Sequence, residues 1–509
     1  MRYGFVIDQN RCIGCHACTV ACKEEHNVAV GVFRTWVKYI EKGSFPDVSR
    51  HFAVLRCNHC DNAPCVEICP TSALFRRPDG IVDFDNARCI GCKSCMQACP
   101  YDALYIDPKT DTAAKCNYCA HRVETGLEPA CVIVCPTQAI IPGDLDDPSS
   151  RIARTVTTQK VIARKPHKGT QPKLFYVGVD GDLLEPTMLT SERSYLWSER
   201  RPDDDAYNLG ASSDDGAIPG AARKVYDVAH PAPWGGKAAL YLLTKSIGAG
   251  ALMVATMLTT VLGLSDVITN IVSPLVALIF TGLTSLILIA DLKRPDRFYY
   301  LLTKSNFSSW LVWGSYILIA YSAAAAAWLG FGFFAPGVPM SLAVLSAALG
   351  VATAGYTAFL FAQAKGRELW QSPLFLWHLL VQALIAGSAL LMLVAVVVGS
   401  ASIAFLSTLL AASIALGFAM VLAELYLPPI DENVRRAAEL ITSGALSPKF
   451  WGLSVLIGVI VPIALLWIAF AESGIAAETL RFVAAIAALA GLAVFESIWI
   501  DAGQAVPLS

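Results

Sequence analysis

Between Cys89 and Pro100 the chain reads CIGCKSCMQACP, four cysteines spaced C-x2-C-x2-C-x3-C and closed by proline. The same spacing runs from Cys12 through Cys15 and Cys18 to Cys22. Two looser groups complete the pattern: Cys57, Cys60, Cys65 and Cys69 before Pro70, and Cys116, Cys119, Cys131 and Cys135 before Pro136. All 16 cysteines therefore lie between positions 12 and 135. Three thiolates close together on a loop can cap three corners of an iron–sulfur cube, with the fourth supplied from elsewhere in the chain. Sixteen thiolates at four per cube make four [4Fe–4S] clusters with none left over. Zinc is the rival for paired C-x2-C, but three cysteines at x2-x2 followed by x3-C-P is not a usual zinc spacing. Disulfides between such close neighbours would be strained. The first residues read as neither a secretory nor a twin-arginine signal, so no oxidising compartment is implied.

Outward from the cysteines the composition changes. The 509 residues are 55% hydrophobic and only 16% charged, with a mean hydropathy of +0.51, where soluble domains average about 25% charge. The net charge of −2 excludes a basic chain of the kind that grips nucleic acid. We divide the chain at 1–180, 181–235 and 236–509. The middle stretch is polar, with a run rich in Asp, Ser, Gly and Ala from Arg201 to Ala222, and reads as a docking extension and linker; a strand is expected just before it, from Lys173 to Val179. The last stretch holds eight apolar segments, roughly 238–264, 267–290, 310–330, 341–362, 373–398, 401–426, 451–471 and 480–500. Each is long enough for a ~30 Å hydrocarbon core, and eight in succession are not the buried helices of a soluble protein. Trp310, Trp370, Trp451 and Trp499 fall at segment ends, where an interfacial belt would stand.

The phrases RCNHCDNAPCVEICPTSAL and RCIGCKSCMQACPYDA resemble the four-cluster electron-transfer subunits of molybdopterin oxidoreductases, of the DMSO reductase and polysulfide reductase type. The resemblance covers residues 3–180. It implies two bacterial ferredoxin repeats, an α+β fold, with groups one and four exchanging ligands and groups two and three doing the same. The implied sets are Cys12, Cys15, Cys18 with Cys135; Cys116, Cys119, Cys131 with Cys22; Cys57, Cys60, Cys65 with Cys99; and Cys89, Cys92, Cys95 with Cys69. Some relatives lose one third-group ligand and hold three irons; Cys92 keeps that position here. Lys23 stands where a proline usually follows the run. His16, His59 and His121 flank cluster cysteines, and two readings stay open: hydrogen bonds to sulfides, or loop histidines facing solvent.

The motif DLKRPDRF at 291–298, continuing to LLTKSNFSSWLVWGSY, resembles the membrane subunits of the polysulfide reductase/NrfD type. That resemblance covers about 236–505 and implies an all-α eight-helix transmembrane unit of two four-helix bundles. It also implies electron exchange with quinone (menaquinone or ubiquinone) without haem, at a site in the first bundle on the cluster side. Of eight histidines only His378 lies within a segment, so a bis-histidine haem is disfavoured. No glycine-rich fingerprint follows a strand, so neither NAD nor flavin is expected. Polar residues at membrane depth are costly and usually functional. Tyr241, Lys245, Asp291 and Arg294 are the quinone-site candidates; His378 and Glu424 are weaker ones, on later spans. The competing readings are a snorkelling Lys245 and a structural ion pair of Asp291 with Arg294 or Arg297. The span interiors look nearly bare of charge, which favours chemistry on one face over a proton pump.

With eight spans, the loops on the side of both termini carry Lys293, Arg294, Arg297, Lys304, Lys365, Arg367, Arg435, Arg436 and Lys449, against essentially Arg481 on the other. The positive-inside rule then puts the cluster region in the cytoplasm, at the cell inner membrane. The alternative is a periplasmic face, with the basic loops docking a partner. The reading is a fused electron-transfer and quinone-reacting subunit, wired to a separate catalytic partner, expected to be of the molybdopterin type and docked on the ferredoxin region. Its rivals are a subunit of an alternative quinol-oxidising respiratory complex and a membrane-anchored ferredoxin scaffold with no quinone site of its own.

Overall fold

The computed structural model describes residues 1–191, 222–335, 337–427 and 431–509. The linker run from Arg201 lies outside the described residues as far as position 221. Tyr3–Asp8 is YGFVID, apolar on both faces, and Phe5, Val6 and Ile7 are at most 1% exposed. Such a strand belongs inside a sheet. Ile140–Asp144 pairs with it antiparallel and Leu174–Val177 parallel, with Phe5 opposite Leu174; Val161–Ala163 closes the far edge. A second sheet grows on the hairpin of Thr35–Ser44 and Asp47–Arg56. Arg223–Tyr226, just after the linker run, adds antiparallel to its first strand.

The two C-x2-C-x2-C runs turn directly into short helices, Ala17–Glu25 and Ser94–Ala98. Each helix is entered through a residue in the left-handed region, His16 at φ 60° and Lys93 at φ 64°. Two residues earlier, Gly91 has φ 68°, and a Cβ there would stand 2.5 Å from the Lys293 Cβ and 2.8 Å from the Asp111 carbonyl oxygen. Only glycine lets the loop after the second span approach this closely. Two small antiparallel ribbons, Leu74–Arg76 with Val82–Phe84 and Leu104–Asp107 with Thr112–Lys115, complete a ferredoxin-like α+β region.

The remainder is helical. Among the described residues, eight helices are long and apolar enough to span a membrane: Gly236–Val261, Ile268–Asp291, Trp310–Phe334, Met340–Ala362, Phe375–Val398, Ile403–Tyr426, Lys449–Ala471 and Ile475–Ala505, spans one to eight below. The molecule is a multi-pass membrane protein. Spans one to four pack in a ring, as do five to eight, and the rings meet along spans one and five. At that seam a Cβ on Gly250 would lie 1.8 Å from the Ala383 carbonyl oxygen, and Gly387 rests on the Gly250 backbone. Small residues let the two helices touch where lipid offers no hydrophobic drive. The tryptophan belt needs correction: Trp370 and Trp499 are each 1% exposed. Trp370 stacks on Trp234 and Trp499 on Phe375 and Phe495. Aromatic packing at the junction has claimed two of the four rings.

The two halves are bonded through backbone groups of the cysteine loops. Asn306 Nδ2 donates to the Cys69 carbonyl (2.8 Å), Ser309 Oγ to that of Ile68 (2.7 Å) and Arg297 Nη1 to that of Cys89 (3.0 Å). The Lys293 N–H bonds the Gly91 carbonyl at 3.2 Å. At the end of span eight, Gln504 Oε1 accepts from Gln97 Nε2 (2.6 Å) and from the Trp234 N–H (3.0 Å), while Arg367 Nε donates to Gln97 Oε1 (2.7 Å).

Candidate functional site: cysteine cages and a cavity beneath them

The chain crossings described above bring cysteines from distant runs together. Cys12, Cys15, Cys18 and Cys135 ring one cavity. Cys57, Cys60, Cys65 and Cys99 ring a second, and Cys89, Cys92, Cys95 and Cys69 a third. Around Cys22 the nearest thiols are those of Cys116, Cys131 and Cys119. The thiols stand around a space instead of meeting at a point, as a cube of iron and sulfide requires and a single tetrahedral ion does not. Burial pushes the Cys18 and Cys99 thiols up to about 11 and those of Cys92 and Cys119 up to about 12. Such thiols keep their protons at neutral pH until a metal displaces them.

The surroundings fit bound sulfide. Arg56 is 1% exposed and donates Nη1 to Cys131 Sγ at 3.1 Å. Its Nε and Nη2, and the buried Asn58 Nδ2, have no partner among the described residues. Buried donors are rarely left unpaired, and cluster sulfides are acceptors of the right kind. His26, which sequence reasoning passed over, approaches Cys119 Sγ with Nε2 at 3.2 Å. Of the three histidines named above, His59 is buried with Nδ1 accepting from the Val82 N–H, His121 bonds Glu25, and His16 packs against Tyr39 and Tyr226. Lys23 is accounted for locally: its ammonium donates to the Ala29 and Val32 carbonyls.

Directly below the third cage lies a cavity of about 390 Å³, bounded by Cys92 and Ser94 above and by spans one to four. Its size is that of a small-molecule site. Tyr241, Tyr356 and Asp291 supply its polar edge; Leu301, Leu302 and Ile319 are among its apolar walls. Asp291 pairs with Lys93, 2.9 Å away on the cysteine loop itself. Arg294 instead turns outward to Asp296 (2.8 Å) and Arg297 to the Cys89 carbonyl, so the competing reading, an ion pair of Asp291 with Arg294 or Arg297, does not form. The cation comes from the other half of the molecule because Lys93 is fixed above the cavity by its left-handed backbone, between Cys92 and Ser94.

Lys245 neither lines this cavity nor snorkels. It is 1% exposed, donating to the Ala354 carbonyl (2.9 Å) and Thr357 Oγ1 (2.8 Å). His378 and Glu424 lie in the second bundle, bonded to each other at 3.0 Å. Sequence reasoning missed Lys93, Ser94, Tyr356 and Glu496. Glu496 is a 1% exposed carboxyl of span eight, so that span's interior is not bare; an isolated Glu in an apolar run was the available signal.

Comparison with known proteins comes to three family models and a set of curated relatives. The model described as polysulphide reductase, NrfD matches residues 224–507. A 4Fe-4S dicluster domain matches 48–145 and a 4Fe-4S binding domain 3–24. A tetrathionate reductase subunit of Salmonella typhimurium is 46% identical over 202 residues, 39% of this chain and 80% of that protein. A polysulfide reductase polypeptide of Wolinella succinogenes is 44% identical over 181 residues, 35% and 94% respectively. Protein NrfC of Escherichia coli is 46% identical over 180 residues, 35% and 81%. These relatives correspond to the iron–sulfur part, and the NrfD model to the helical part.

Proposed function

The protein belongs to the polysulphide reductase NrfD family, and from that premise we propose that it is the fused electron-transfer and quinone-reacting subunit of a membrane-bound oxidoreductase. Four [4Fe–4S] clusters, held by the four cysteine sets above, supply one-electron transfer when bound. The protein's own contribution is to space them, to bury them, and to place the set Cys89, Cys92, Cys95 and Cys69 against the cavity of the first bundle. The observation that carries the reading is the wall shared by Cys92 and Tyr241: a cluster ligand and a proton-bearing phenol border the same quinone-sized space. Asp291, held by Lys93, and Tyr241 orient the head group, while the leucine-lined side takes the tail. Lys245 braces Tyr356, its ammonium 5.5 Å from the ring centre, and Arg294 holds the docking loop.

The far end of the wire docks a separate catalytic subunit, of the molybdopterin type by resemblance. We place the ferredoxin region on the cytoplasmic side of the inner membrane. Arg294, Arg297 and Arg367 are spent on contacts with that region, so the charge argument rests on the other basic loop residues. Membrane-impermeant cysteine labelling of intact cells checks it; modification of the cluster region from outside would reverse the orientation. The quinone site is tested with Ser315→Trp, which fills the cavity. Dithionite-reduced protein carrying this change should retain its cluster spectra and lose reoxidation by a naphthoquinone. Unchanged reoxidation would move the quinone elsewhere.

A further inference from the structure

A line of ionisable side chains leaves the quinone cavity sideways and enters the second bundle. Tyr241, in the cavity wall, has Thr357 and Glu496 as neighbours. Thr357 Oγ1 accepts from Lys245 at 2.8 Å. Glu496 is buried on span eight, which packs against span one, bearing Lys245, and span five, bearing His378; both are charge neighbours of its carboxyl, and neither hydrogen-bonds it directly. His378 Nδ1 meets Glu424 Oε2 at 3.0 Å, and Glu424 Oε1 accepts from Ser372 Oγ at 2.6 Å. Ser372 is half-buried at the start of span five, beside the exposed Pro373. Five spans contribute, yet the groups follow one another from the cavity to the membrane surface.

A structural ion-pair network is the alternative, and two observations weigh against it. First, the seam between the bundles is already closed by the Gly250–Gly387 backbone contact, so buried charge is not needed to join them, and buried charge is costly. Second, the network is incompletely bonded: Glu496 Oε1 and Gln382 Oε1 are buried with no partner among the described residues. Gln382 and His378 line a second cavity of about 60 Å³, room for about two water molecules at roughly 30 Å³ each. The orphaned Gln382 acceptor and His378 thus border a water-sized space at membrane depth, and Glu496 follows Phe495 of its wall in the chain; water there would bridge the gaps between the relay groups.

We propose that Ser372, Glu424, His378, Glu496 and Lys245 form a proton relay between the cluster-side surface of the second bundle and Tyr241 at the quinone. The inference rests on the quinone-site reading above. The quinone takes two electrons from the cluster chain, reduced by the catalytic partner, and two protons from water at Ser372; its two carbonyl oxygens become hydroxyls. Oxidation of quinol runs the same atoms backwards. Electrons thus reach the cavity from the ferredoxin side and protons from the neighbouring bundle.

The test uses the full chain with its clusters, in liposomes, reduced by dithionite and reoxidised by a water-soluble naphthoquinone in H2O and D2O. Glu496→Gln should lower the saturated rate at least about tenfold, leave the half-saturating quinone concentration within twofold, and enlarge the solvent isotope effect. Glu496→Asp should recover most of the rate. A wild-type rate in Glu496→Gln, with cluster spectra intact, overturns the relay. Should that variant lose its clusters, His378→Gln and Glu424→Gln decide on the same readouts. The cavity-filling Ser315→Trp separates the two claims. If it abolishes reoxidation while the relay variants are silent, only the relay falls; if it is silent as well, the quinone site falls with it.

Discussion

The ferredoxin region and the helical region solve one problem, holding a reactive centre away from water, by opposite means. In the first, three ligands of each cage follow one another at three to twelve positions along the chain, and only the fourth travels far. In the second, the cavity and its polar edge draw on helices from positions 236 to 362, and the relay continues to Glu496. The ferredoxin region needs its metal to justify a cluster of buried thiols, whereas the helices are held by packing and backbone contact. Chemistry that is local in sequence depends on the cofactor; chemistry assembled from afar depends on the scaffold.

Removing iron should separate the two regions most sharply. Chelation of the reduced protein is expected to unfold the region up to residue 191, its thiols having lost the cation that offsets their burial, while helical circular dichroism from the membrane half persists. Loss of both signals together would dissolve the contrast. Cutting the contact between them comes next. Tyr241→Phe and Asp291→Asn should each lower quinone turnover by about 100-fold with all clusters present, the low end of the usual weight of one proton-handling group; steady-state kinetics with a quinol analogue measures it. A smaller effect is expected at Arg56, whose charge-assisted bond to Cys131 is worth about 1.5–3 kcal/mol. Arg56→Met should lower the potential of the cluster held by Cys22, Cys116, Cys119 and Cys131 by up to about 65–130 mV, since one-electron potentials move about 59 mV per tenfold. The cluster at Cys89, Cys92, Cys95 and Cys69 should stay put; redox titration followed by paramagnetic resonance distinguishes them.

The smallest effect concerns the segment joining the regions. His230 Nδ1 lies 2.9 Å from Asp102. Burial opposes the imidazolium, yet the carboxylate outweighs it and holds His230 above its ordinary value. Burial also opposes the Asp102 charge, but His230 and the nearby Arg367 and Lys165 bring it down to about 2. The histidine contribution is complete below about 6.5 and fades as pH rises through its raised value; the aspartate contribution is complete above about 3.8 and fades as pH falls towards 2. The clasp is therefore strongest between about pH 4 and 6.5. His230→Gln should flatten the pH dependence of thermal stability by about 1 kcal/mol.

The fold was open to reading because its signals are periodic. Cysteine spacing repeats, and apolar runs of about 20 residues have one use. The same holds for Tyr241 and Asp291, which end up on the cavity because they lie at the cluster-side ends of spans one and two. What the sequence hid are contacts between distant segments. Asp291 has Arg294 and Arg297 as near neighbours in the chain, but the turn after span two sends Arg294 to Asp296 and Arg297 to the Cys89 carbonyl, leaving Lys93, 198 positions back, as the partner. Glu496 escaped notice because one carboxyl scarcely alters the hydropathy of a 31-residue helix. Trp370 and Trp499 were misplaced because hydropathy cannot tell a lipid-facing ring from one stacked inside the protein.

The Gln97–Gln504 bond joins residues 407 positions apart. During synthesis Gln97 leaves the ribosome before any span is made and waits until the eighth has been threaded into the bilayer. The short helix between Cys95 and Cys99 therefore gains its bond to span eight only once the whole membrane part has been made, and a chain truncated before that span would lack it.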